Sequence, residues 1–121
     1  MNLFDASALL CFIQGEHGAD VVERELLRGG RCSAANWSEV AQKILSHAKD
    51  WELTRGLLLS YGLAVEPVRA DDAEGAARLW RKGSGLSLAD RLCLATGHRL
   101  KATVWTADTA WGSTKSVRQV R

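Results

Sequence analysis

Apolar positions fall in short blocks of two kinds, and the alternation between them is the main structural signal. Asn2-Leu3-Phe4-Asp5 reads as a short buried strand ending at a carboxylate, and Ala6 to Ile13 is an apolar segment compatible with a helix. After Gly15 and Gly18, residues Ala19 to Arg28 carry Val22, Leu26 and Leu27 at helical spacing until Gly29-Gly30 end the run. Arg31-Cys32-Ser33 is a second short strand. The third helix, expected to begin near Asn36, shows Trp37, Val40, Ala41, Ile44 and Ala48 at the 3.6 period. Trp51 to Tyr61 predicts a fourth helix, Leu63 to Val65 a strand stopped by Pro67, and Asp71-Asp72 a helix running through Ala76, Leu79 and Trp80. Gly83-Ser84-Gly85 is a loop. Ser87-Leu88-Ala89-Asp90 matches a capping box opening a helix to Leu100. Ala102 to Thr106 is β-branched and aromatic, as a central strand requires, and a last strand is expected around Val117 and Val120.

Strands alternating with helices through short connections predict an α/β domain, a central parallel sheet flanked by helices on both faces. Such sheets gather ligands at the carboxyl ends of their strands. Asp5 and Asp108 each follow a predicted strand, so topology alone brings them to one edge. With 121 residues, 46% hydrophobic and 25% charged, residues 1–121 form one domain. The longest uncharged apolar run is far shorter than the roughly 20 residues of a membrane span, and no basic segment precedes it as in a secretory signal. Cys11, Cys32 and Cys93 lack the paired spacing of a zinc site and read as buried, reduced thiols in a cytoplasmic protein. The net charge of +2 does not by itself announce a nucleic-acid binder. From Arg78 onward, however, the basic residues face only Asp90 and Asp108.

Each acid has a plain explanation when taken alone. Asp5 could cap the helix that follows it, Asp90 could serve only its capping box, and Asp108 could be a turn aspartate. Glu39 falls opposite the stripe of Trp37, Ala41, Ile44 and Ala48, so periodicity makes it solvent-facing. Together they read differently. Clustered carboxylates repel one another in a poorly solvated pocket unless a cation sits among them. Magnesium, which takes a few carboxylates plus waters and phosphate oxygens, is the natural candidate, and it serves phosphodiester hydrolysis by activating water and neutralising phosphate charge.

Four segments in order, Leu3-Phe4-Asp5-Ala6-Ser7-Ala8-Leu9-Leu10, Asn36-Trp37-Ser38-Glu39-Val40, Gly85 to Ala95 around Asp90, and Thr106-Ala107-Asp108-Thr109-Ala110-Trp111, resemble the PIN-domain ribonucleases. They resemble most closely the VapC toxins of type II toxin–antitoxin pairs. The resemblance runs from Leu3 to the chain end. It implies a PIN-like three-layer sandwich in which Asp5, Glu39, Asp90 and Asp108 are the acidic quartet. Asp5, Asp90 and Asp108 would hold Mg2+, for which Mn2+ suits the same oxygens. Thr106 would orient an acid, with Ser7 in support. It further implies an endoribonuclease that uses metal-activated water to cut tRNA or rRNA, a cognate antitoxin partner, and a homodimer. Arg91, Arg81, Lys82 and Arg99 are weak candidates for RNA phosphate contacts. Two departures stand out: Thr109 occupies a place where the family often has arginine, and polar Asn2 lies within the first strand. Five tryptophans exceed what so small a core readily hides, and Trp51 is the one expected at the surface.

A response-regulator receiver domain would need an acidic pair after the first strand and a lysine where Asp108 stands. A second alternative keeps the PIN fold as a catalytically silent RNA- or protein-binding module, because activity depends on sub-ångström placement that no motif reports.

Overall fold

The computed structural model describes all 121 residues, Met1 to Arg121. Five parallel strands, β1 (Asn2–Phe4), β2 (Arg31–Ser33), β3 (Ala64–Glu66), β4 (Thr103–Thr106) and β5 (Val117–Gln119), form one sheet in the order β3-β2-β1-β4-β5. The six helices are α1 (Ala6–Gln14), α2 (Ala19–Leu27), α3 (Ala34–Ser46), α4 (Trp51–Ser60), α5 (Ala70–Arg78) and α6 (Leu88–Leu100), and a single 3-10 turn covers Thr109–Trp111. The chain runs outward from β1 to β3 and then crosses back to β4. The strand order therefore reverses between β1 and β4, where a parallel sheet opens a crevice at its carboxyl edge.

Successive residues of a strand face opposite sides of a sheet, and β1 shows what that achieves. Phe4 joins the core built with Leu9, Val22, Leu26 and Val40, whereas Leu3 joins the opposite core of Cys93, Ala102, Val104 and Val117. Both residues are fully buried, and each such side chain contributes about 1.5–3 kcal/mol. Helix α6 lies so close on β4 that a Cβ at Gly97 would stand 2.6 Å from Val104 Cγ2. That seat fixes the start of α6, and with it Asp90, relative to the sheet. Polar Asn2 fits the first strand because its amide is fully used. Its Nδ2 donates to the Glu25 and Gly29 carbonyls and to the Glu25 carboxylate, and its Oδ1 accepts from Trp105 Nε1.

The elements form where the pattern puts them, with four adjustments. Helix α3 begins at Ala34 rather than near Asn36, because Ser33 is its N-cap and accepts from Asn36 N. Strand β3 is displaced by one residue toward Pro67. Helix α5 ends at Arg78, leaving Leu79 and Trp80 outside it and 40% and 58% exposed. Trp51 is not the exposed tryptophan. Its ring packs edge-on against Trp37 at 5.1 Å, and Trp80 is the one at the surface. All three cysteines are free and buried, and no helix is long and apolar enough to cross a membrane.

Candidate active site

Asp5 stands one residue past β1, at the N-cap of α1, and is 3% exposed. Its carboxylate is held by three donors. Oδ1 accepts from Ala8 N and Ser7 Oγ, both at 2.8 Å, and Oδ2 accepts from Thr106 Oγ1 at 2.6 Å. Thr106, at the end of β4, accepts in turn from Asp108 N at 3.0 Å, and Ser7 Oγ accepts from Ala107 N at 2.9 Å. The first acid and the backbone carrying the last are thus joined through two hydroxyls across neighbouring strands. Burial pushes the Asp5 carboxyl up to about 6. The Thr106, Ala8 and Ser7 hydrogen bonds pull it back down, and the nearby Asp90 charge raises it further.

The other acids reach the same place from different elements. Asp90 is the third residue of α6, where its Oδ2 accepts from Ser87 N at 2.9 Å while Ser87 Oγ accepts from Asp90 N. Asp108 caps the 3-10 turn, its Oδ1 accepting from Ala110 N. Glu39, expected at a solvent face, instead lines the cleft, because the buried line of α3 runs through Asn36, Val40 and Ile44 and leaves Glu39 on its flank. Asn36 is fully buried. It accepts from Ser33 Oγ at 2.9 Å and donates from Nδ2 to Glu39 Oε1 at 2.8 Å, which aims the glutamate. As a polar residue it adds nothing to an apolar stripe, and the sequence marks it only as the opening residue of the segment Asn36-Trp37-Ser38-Glu39-Val40.

All four acids line one cleft of about 440 Å³, together with Ala6, Ser7, Leu10, Gln42, Lys43 and Ser46. None of the four takes part in any of the chain's ion pairs. Asp90 Oδ1, Asp108 Oδ2 and Glu39 Oε2 accept no donor from the chain, since each residue's hydrogen bond uses its other oxygen. No three acids close on a common point as a ready-made coordination cage. The free oxygens are hard ligands of the kind a divalent cation takes together with waters.

The four basic residues named as phosphate contacts fare unequally. Arg99 is excluded by its surroundings: it pairs with Asp72 at 2.8 Å and Glu66 at 3.2 Å, and so belongs to the packing of α5 on α6. Arg91 donates to the Ala76 carbonyl and Arg81 to the carbonyls of Arg78 and Trp80, while Lys82 is exposed. None of the four lines the cleft, whereas Lys43, which drew no notice in the sequence, does.

The five-stranded parallel sheet that carries this cleft is a PIN domain: the chain belongs to that family, whose model matches residues 3–116. Within it the chain sides with the VapC ribonucleases. A VapC ribonuclease of Mycobacterium bovis and ribonuclease VapC42 of Mycobacterium tuberculosis are each 37% identical over 91 residues, 69% of this chain and 69% of theirs. The fold is also that of solved toxins at lower identity. A toxin–antitoxin complex from Klebsiella pneumoniae matches with a TM-score of 0.79 at 22% identity over 100% of this chain and 98% of that one. The Mycobacterium tuberculosis toxin VapC20, described as cleaving the sarcin-ricin loop, matches with a TM-score of 0.72 at 19% identity over 95% and 98%.

Proposed function

We propose that this protein is a magnesium-dependent endoribonuclease, the toxin of a type II toxin–antitoxin pair, hydrolysing phosphodiesters of tRNA or rRNA. One observation carries the proposal: four carboxylates from four separate elements line a cleft at the strand-order reversal, and none has a cationic partner in the chain. Asp5 and Asp90, with Asp108, are the residues that would hold the ion. When bound, magnesium supplies a lowered pKa to an attacking water and charge neutralisation to the phosphate.

The chain's own part is placement. Thr106, Ser7 and the Ala8 amide fix the Asp5 carboxylate in one orientation, so no side-chain freedom is lost on binding. Asn36 fixes Glu39 Oε1, which leaves Oε2 to accept a proton from the attacking water. Above about pH 6 Asp5 is ionised and ready to act as a ligand.

The same reading gives the protein a cognate antitoxin, a homodimer and a cytoplasmic site of action. Support for the antitoxin comes from the solved Klebsiella pneumoniae toxin–antitoxin complex and from VapBC2 of Rickettsia felis, which was solved bound to a DNA fragment from its promoter. Surface-exposed Leu45, Leu53, Leu57 and Trp80 suit such contacts. A second reading, a silent binding module, draws on the lack of a preformed three-acid cage. Incubation of the protein and an Asp5→Asn variant with total RNA, with and without magnesium, followed by sequencing of new 5′-phosphate ends, separates the two. Discrete ends that require both magnesium and Asp5 establish the nuclease and its target. Identical patterns in every lane leave the binding module.

A further inference from the structure

We propose that the cleft face of α3 beyond Glu39 seats the nucleotide next to the scissile bond, with Lys43 contacting that neighbour's phosphate; this rests on the nuclease reading above. Glu39, Gln42, Lys43 and Ser46 all line the cleft, and their spacing of three, four and seven residues places them within a sector of about 100° on one helix face. Lys43 is the one cation among the lining residues. Although it shares the cleft with four carboxylates, it forms an ion pair with none of them. Its ammonium is therefore held in contact by none of the acids.

The helix changes character along its length. After Glu39 it carries no acid, and from Val40 to its end at Ser46 its one charged side chain is Lys43, which is exposed. A strand whose reacting phosphate lies at the acids meets hydrogen-bond donors and then positive charge as it runs along α3. Lys43 stands four residues beyond Glu39, about 6 Å along the axis, a separation comparable to that of successive phosphates in an extended strand. From α1, Ala6 and Leu10 supply an apolar surface for a sugar or base. The chemistry thus fits the phosphate backbone of a single-stranded stretch of RNA.

The test compares wild type, Lys43→Ala, Lys43→Arg and Lys49→Ala, the last removing an exposed charge that does not line the cleft. Binding of a fluorescein-labelled single-stranded RNA is read by anisotropy over a salt series in calcium, and cleavage of the same RNA is read in magnesium. Lys43→Ala is expected to weaken binding several-fold and to flatten the slope of log affinity against log salt by about 0.7, one phosphate contact on a single strand. Lys43→Arg restores both, Lys49→Ala changes neither, and in cleavage the loss appears in KM rather than kcat. Unchanged binding and slope in Lys43→Ala overturn the proposal, as do equal losses in Lys43→Ala and Lys49→Ala. A Lys43→Ala effect confined to magnesium affinity also overturns it, because it would make Lys43 a counter-ion of the acids. Wild type that binds through Lys43 but cuts nothing removes the nuclease reading and keeps the phosphate seat; wild type that does not bind removes the seat whether or not it cuts.

Discussion

Two buried aspartates in this small domain have opposite electrostatic fates. Asp5 is 3% exposed and Asp72 is 2% exposed, so their burial is the same. Asp72 accepts from Arg99 and from Arg69 N, and the Arg99 hydrogen bonds hold its carboxyl below the ordinary range. Glu66 is likewise held low, first by Arg31 and then by Arg99. Asp5 has only neutral donors, and burial wins, lifting its carboxyl to about 6. Acids that tie elements together bring their counter-charge with them in the chain. Acids built for a ligand leave that charge to be supplied from outside.

The sharpest way to break the comparison is Asp5→Asn. RNA cleavage should fall by about a thousandfold or more, equivalent to about 4 kcal/mol of barrier, while the metal-free protein melts no lower than wild type. A large loss of stability instead would make Asp5 a structural acid like Asp72. Next in size is Arg99→Ala, which leaves buried Asp72 without a cation and takes from Glu66 one of its two arginines, and should cost about 3 kcal/mol in urea denaturation. Cleavage per folded molecule should hold steady, since Arg99 does not line the cleft.

Acidity separates the two kinds of acid without mutation. The Asp5 carboxyl is raised from 3.8 to about 6 in the fold, so the native state binds its proton more tightly than the unfolded chain does. Its contribution therefore favours the fold at low pH and is lost as pH climbs from about 4 to 6, a swing of about 3 kcal/mol at roughly 1.4 kcal/mol per unit. Glu66 and Asp72 act in reverse: their stabilisation is present above the unfolded carboxylate range and is lost only as pH falls through their depressed values. Thermal melts of metal-free wild type and Asp5→Asn should coincide near pH 4, part progressively as pH rises and reach full separation above about pH 6, and magnesium should close the gap at pH 7. The smallest effect belongs to Asn36→Ala, which frees Glu39 and leaves Ser33 without its acceptor. It should cost about 1–2 kcal/mol in stability and lower kcat with little change in KM for RNA.

How much of this was legible in the sequence follows from which forces act locally. The helix caps and strand ends announced Asp5, Asp90 and Asp108, because a carboxylate before a run of backbone N–H groups is a short-range signal. Glu39 was named by the resemblance and set aside by periodicity alone, for an equally local reason: the buried face of α3 is led by an amide, Asn36, which hydropathy counts as outside. Trp51 was misplaced because the partner that covers it, Trp37, lies on another helix. The Arg99 network was invisible for the same reason, joining residues 27 and 33 positions apart.

Three of the four cleft acids also hold the first turn of a helical segment: Asp5 caps α1, Asp90 closes the box of α6, and Asp108 caps the 3-10 turn. At the two N-cap positions, Asp5 and Asp108, asparagine caps about as well as aspartate. Descent from such a sequence can therefore extinguish the chemistry through single-base changes that scarcely disturb folding, and lineages that keep the scaffold for binding alone lie one mutational step from the enzyme. Alanine at the same positions removes the cap along with the charge, at about 1 kcal/mol, so the asparagine variants are the ones that report on chemistry alone.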